Sequence, residues 1–139
     1  MSQLFTDSIV VPVANQADAT TTAAALEPYD IGEITVMYVV EKGDGVPDKT
    51  PVEQSEQIAT ESFAAFREAF PTAETETIYR RDVVTAISEV AREIDASAIV
   101  FHPRGGSRFR QFLTGDRSLR LITEAERPVI ALPNEVSEA

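Results

Sequence analysis

Four short runs of continuous apolar, largely β-branched residues recur along the chain, separated by longer polar or amphipathic stretches. They are Ser8–Val13 (SIVVPV), Glu33–Val40 (EITVMYVV), Ala98–Phe101 (AIVF) and Pro128–Leu132 (PVIAL). Each is too short for a helix and lacks the alternation of a half-exposed strand, so each reads as a strand covered on both faces. A fifth run, Glu74–Tyr79 (ETETIY), alternates polar and β-compatible residues and suits an exposed sheet edge. Between the strands lie helical patterns. The order β-α-β-α-β-α-β-α-β predicts an α/β fold: three layers, α/β/α, around a five-stranded parallel, doubly wound, Rossmann-like sheet.

The helices are legible to different degrees. Asp18–Leu26 (DATTTAAAL) reads as a modest helix, weakened by three threonines and supported by three alanines. Thr50-Pro51-Val52-Glu53 is a strong start signal, with Thr as N-cap, Pro at the first helical position and Glu three residues after the cap. Ala59, Phe63, Phe66 and Phe70 then form one apolar stripe, and Pro71 stops the helix. Asp82 is positioned to cap a helix with Val83, Ile87, Val90 or Ala91, and Ile94 inward. Leu121, Ile122 and Ala125 mark the inner face of the last helix.

At 139 residues the chain suits a single domain spanning 1–139. It has no cysteine and one histidine, which excludes a thiol nucleophile, a disulfide framework and a multi-histidine zinc site. No apolar run approaches the roughly 20 residues of a membrane span. No basic region precedes the first apolar segment, so a cytoplasmic, soluble protein is expected. Net charge is −11, and ten of the twelve cations are arginine. Such an acid excess with few lysines predicts a halophilic protein, adapted to salt that screens self-repulsion; an ordinary acidic soluble protein is the alternative. Either way, non-specific nucleic-acid binding is not expected.

One segment runs against this charge. Residues 1–103 carry −12 and residues 128–139 carry −2, whereas residues 104–127 carry +3. In an open parallel sheet the ligand crevice lies beyond the carboxyl ends of the strands where the strand order reverses. Its expected walls here are Ala14-Asn15-Gln16 and the stretch from His102 to Arg110. Gly105 and Gly106 would let backbone amides approach an anion, with Arg104, Arg108 and Arg110 supplying charge. Two readings of this segment stand: an anion site, or a loop whose arginines pair with surrounding acids. His102 reads as a packed or hydrogen-bonded loop residue, because no nucleophile or partner histidine accompanies it.

The runs IVVPVA and EITVMYVV and the tail AIVFHPRG…GDRSLRLITEAERPVIALP together resemble the universal stress protein domain, in a haloarchaeal-like, single-domain form. The resemblance covers nearly the whole chain and implies the family's adenine nucleotide alpha hydrolase-like sheet. The family's glycine pattern is Gly, two residues, Gly, nine residues, Gly, then Ser or Thr. Gly105 and Gly115 match its second and third glycines; His102 stands at the first, Asp116 at the hydroxyl and Ala14 at the acid that commonly follows the first strand.

In nucleotide-binding members, the resemblance implies, the glycine loop and hydroxyl hold ATP phosphates, the acid contacts the ribose, and the second strand's end lines the adenine site. The corresponding cofactor-site residues are Ala14, Val39, Arg104, Gly105, Arg108, Gly115, Asp116 and Arg117. Asp116 as an N-cap would occupy amides that a phosphate needs and repel the phosphate itself. Ala14 removes the sugar contact. The expectation is therefore a non-enzymatic regulatory or interaction protein with weak or absent ATP binding and no required cofactor; an ATP- or AMP-binding stress protein using the loop from His102 to Asp116 is the alternative. The arginines leave room for a different small anion. The resemblance also places the third and fifth strands at the sheet edges. An apolar edge at Pro128, Val129, Ile130, Ala131 and Leu132 is expected to pair with its own copy in a homodimer.

Overall fold

The computed structural model describes residues 4–41, 52–102 and 116–132, with the backbone alone for residues 52 and 116–119. The strands are β1 (Ser8–Pro12), β2 (Glu33–Glu41), β3 (Glu74–Arg80), β4 (Ala98–Phe101) and β5 (Val129–Ala131). The helices are α1 (Gln16–Leu26), α2 (Val52–Ala69), α3 (Val83–Glu93) and α4 (Asp116–Glu124). All five strands are parallel, in the order β3-β2-β1-β4-β5. This is the doubly wound arrangement read from the alternation of elements, with β3 and β5 at the edges.

Burial explains why the apolar runs are continuous. Val10 and Val11 are adjacent in β1, face opposite sides of the sheet, and are both fully buried. One face packs Val10, Met37, Val39, Ile99 and Phe101 against α3 and the Leu121–Ala125 side of α4. The other packs Ile9, Val11, Val36 and Val100 against α1 and Phe66 of α2. Among the described residues strand β3 has no strand on its outer side, and its own residues are exposed or half-buried, as its alternating sequence requires.

Three helix details differ from the sequence expectation. Ile94, expected on the inner face of the third helix, follows its last residue and is 37% exposed. Ile122 is 60% exposed, whereas Leu121 and Ala125 are buried. Leu121 and Ala125 are four apart and share a face; Ile122 lies about 100° further round, outside a stripe that narrow. Asp82 stands at the N-cap position of α3 but its side chain makes no capping bond. Its carboxylate accepts instead from the Thr85 hydroxyl at 2.6 Å and from Arg120 of α4 at 2.7 and 3.3 Å. Two charge-assisted bonds from a guanidinium outcompete one backbone amide. The proposed cap Thr50 and Pro51 of α2 lie outside the described residues.

Turns close the remaining connections. Asp95 and Glu126, at φ 54° and 59°, adopt the left-handed conformation that redirects the chain after α3 and α4. The segment before β1 is held by Gly32, whose amide donates to Thr6 O at 2.8 Å while Glu33 N donates to Asp7 O at 2.9 Å. A Cβ at position 32 would sit 2.4 Å from the Asp7 carbonyl oxygen. Backbone on both sides leaves little freedom to yield. Gly32→Ala is therefore expected to destabilise the protein by about 2 kcal/mol and lower its melting temperature by several degrees, measured by calorimetry against the parent.

Candidate functional site at the end of the first strand

The strand order reverses at β1: the chain goes from β1 to β2 and β3 on one side, then returns to place β4 and β5 on the other. The crevice of such a sheet must open between the carboxyl ends of β1 and β4. The β1 ladder runs one residue beyond the strand, with Val13 N donating to Met37 O at 3.0 Å. Ala14 follows, then Asn15, whose extended backbone turns the chain into α1.

The local sequence Asn15-Gln16-Ala17-Asp18 builds this corner. Asn15 Oδ1 accepts from Asp18 N at 2.7 Å, and Asn15 O accepts the first helical bond from Ala19 N at 2.9 Å. Asp18 reaches back, so that its Oδ2 accepts from Ala14 N at 2.8 Å. Its Oδ1 accepts from the Thr22 hydroxyl at 3.3 Å, one turn along α1. This resembles a reciprocal capping box, moved by one residue so that the carboxylate ties down the amide before the cap.

Asp18 is only 1% exposed. Burial pushes its carboxyl from 3.8 up to about 6, against the opposing pull of the Ala14 amide and the Thr22 hydroxyl. The helix N-terminus also favours the ionised form, but desolvation prevails. Asp18 was not among the residues that sequence reasoning singled out. The signal available was an acid three residues after an asparagine cap, which indicates a local bond but not burial.

The other expected site residues divide into two groups. Ala14 and Val39 come together, for both belong to the apolar cluster that includes Phe101, with Ile78 and Val83 packed against it. These residues form part of the buried core on the α3 side of the sheet, at the carboxyl ends of its strands. His102 follows β4 and is 3% exposed, in keeping with a packed loop residue. Arg104, Gly105, Arg108 and Gly115 lie outside the described residues. Asp116 and Arg117 open α4, and their side chains are likewise outside the description. The helix that Asp116 opens is tied to α3 through Arg120, which bridges Asp82 and Glu124. Arg120 holds the Asp82 carboxyl down at about 2.

Among the described residues there is no cluster of three or more His, Cys, Asp or Glu able to hold a metal. No helix there is long and apolar enough to cross a membrane.

The universal stress protein family profile matches residues 6–133. The chain belongs to this family. Solved structures share its fold. The universal stress protein from Archaeoglobus fulgidus in complex with dAMP is 20% identical, with 94% of this chain and 100% of that one covered at a TM-score of 0.63. UspA from Lactobacillus plantarum is 21% identical, over 94% and 100% of the two chains, at 0.63. A family member from Arabidopsis thaliana with AMP bound is 14% identical, over 95% and 94%, at 0.56. No curated protein matches the sequence. At these identities the likeness establishes the fold and not the ligand.

The two shifted carboxyls act in opposite directions and in separate pH windows. Asp18 is raised, so the folded state holds its proton more tightly than the unfolded chain does. Its contribution to stability is full below about 4 and is lost as pH rises through about 6. Asp82 is lowered, so its contribution is present above about 4 and is lost as pH falls through about 2. Denaturant unfolding at intervals between pH 4 and 7.5 should therefore show Asp18 costing about 3 kcal/mol by the upper end. In Asp18→Asn that slope should disappear.

Proposed function

We propose that the protein is a non-catalytic regulatory member of the universal stress family that acts through protein contacts as a homodimer and holds ATP weakly or not at all. The observation that carries the reading is the Asp18 carboxylate on the Ala14 amide. At the corner where a ligand would meet β1, the backbone donor is already satisfied from within the chain, and a negative charge is buried beside it. Ala14 itself brings no carboxylate to a sugar hydroxyl. The substitution of Asp116 for the family's hydroxyl points the same way, as would a side chain at His102 in place of glycine.

A second reading has one observation in its favour. The apolar cluster of Ala14, Val39 and Phe101 is suited to an adenine ring, and relatives of the same fold have been solved with dAMP and with AMP. In that reading Arg104, Gly105, Arg108, Gly115, Asp116 and Arg117 would surround the phosphates. Calorimetry with Mg-ATP separates the two. The regulatory reading expects no saturable heat at micromolar Mg-ATP and neutral pH in the wild-type protein and a gain of binding in the double variant Ala14→Asp with Asp116→Ser. Stoichiometric micromolar binding to the wild type would overturn it.

The homodimer is proposed through the apolar edge strand. In β5, Val129 and Ile130 are half-buried and Ala131 is exposed, and among the described residues β4 is the only strand beside it. An unpaired apolar edge is covered most simply by its own copy across a two-fold axis. Light scattering at micromolar concentration should give the mass of two chains. Ala131→Asp, which places a charge on that edge without touching the core, should give the mass of one.

A further inference from the structure

Asp18 is a buried acid whose charge the fold does not require. Its bond partners are a backbone amide and a hydroxyl, both neutral, and among the described residues no cation pairs with it. The bond to Ala14 places the carboxylate directly behind one wall of the crevice. We propose that Asp18 is the regulatory proton site of this crevice, which excludes anions while the carboxylate is ionised and admits them once it carries a proton. The inference rests on the reading that the crevice is a weakened nucleotide site, and it names what weakens and restores it.

Among the described residues no ion pair compensates this charge. The inward face of α2 presents Ser55, Ala59, Ser62 and Phe66, none of them ionisable. From the sheet side come Val11 and Val13 of the β1 segment. Within α1 the neighbouring polar group is Thr22. The other titratable groups at this end of the described sheet are His102 after β4, Glu41 and the buried Tyr38 of β2, and Tyr79 and Arg80 at the end of β3. A ligand seated against Ala14 lies within about 10 Å of the Asp18 carboxylate. At an effective dielectric near 20, a like charge at that distance weakens binding on the order of tenfold. Salt screens exposed pairs strongly and buried charges much less, so the effect persists at raised ionic strength. Coupling is reciprocal: if protonation favours the anion, the anion must favour protonation. Because Asp18 titrates near 6, the change falls within a mildly acidic range.

The test needs an anion of constant charge. A phosphate monoester itself titrates near pH 6, so the probe is cyclic AMP, a phosphodiester with one charge throughout, and the neutral control is adenosine. Calorimetry at fixed salt should show cyclic AMP binding about tenfold tighter at pH 5 than at pH 7.5, with adenosine unchanged. Asp18→Asn should bind cyclic AMP at pH 7.5 as the wild type does at pH 5. In the wild type, cyclic AMP should also raise the midpoint of the pH titration followed by NMR at the Ala14 amide. This arm does not depend on the variant folding.

A pH-independent affinity, or an unmoved midpoint, overturns the proposal. So does a pH dependence that survives in Asp18→Asn and disappears in His102→Gln, which would assign the proton to His102. Absence of cyclic AMP binding at both pH values overturns the coupling and leaves the weak-binding reading standing. Tight ATP binding at pH 7.5 overturns that reading, while the comparison of cyclic AMP with adenosine still decides the role of Asp18.

Discussion

The central strand carries the whole arrangement. Strand β1 has a neighbour on each edge and a helical layer on each face, so its residues have no solvent side at all. A strand in that position must be apolar throughout, and it must leave the sheet at its carboxyl end through a corner that satisfies backbone groups without water. The Ala14–Asp18 corner is the answer this chain gives. Asn15 caps α1, and Asp18 closes the amide that the end of β1 would leave open. The same corner stands where the strand order reverses, so the solution to a folding problem is also a wall of the crevice. A carboxylate chosen to satisfy an amide then acts on anything that approaches.

Burying that carboxylate opposes folding at neutral pH, and the size of the opposition bears on its role. A rise from 3.8 to about 6 corresponds to roughly 3 kcal/mol, a substantial share of a small domain's net stability. An asparagine in the same place could accept from Ala14 and bond with Thr22 without a buried charge. Hydrogen bonding alone therefore does not call for an acid here. A group that can change its charge does what asparagine cannot, and it stands at the one corner where a change of charge would be felt by a bound anion.

What could be read from the residues follows from whether burial was a local or a tertiary matter. The strands were legible almost to their ends, because a parallel sheet covered on both faces leaves continuous apolar runs such as Val10–Val11 and Ile99–Val100. The edge position of β3 was legible because Glu74 and Glu76 could not have been buried. Three features were not. Asp18 looks like an ordinary acid in the first turn of a helix, and only the packing of α1 against its neighbours makes it a buried one. Asp82 looks like an N-cap, and only the approach of Arg120 from a helix far along the chain redirects its carboxylate. Ile122 looks like core by composition and is excluded by an angle of one residue. Ala14 and Val39 were named from the family resemblance, and the structure puts both in one apolar cluster; the buried charge of Asp18 four residues on was not foreseen.

The depth of this carboxylate matters for its electrostatics. An acid exposed at the end of the first strand would be available to a sugar hydroxyl as an acceptor, and its charge would be moderated by water. Asp18 is turned inward, and its charge is less screened, because protein instead of solvent lies around it. Surface pairs such as Arg120 with Asp82, partly exposed at 40% and 36%, weaken as salt rises. The buried Asp18 charge does not weaken in proportion.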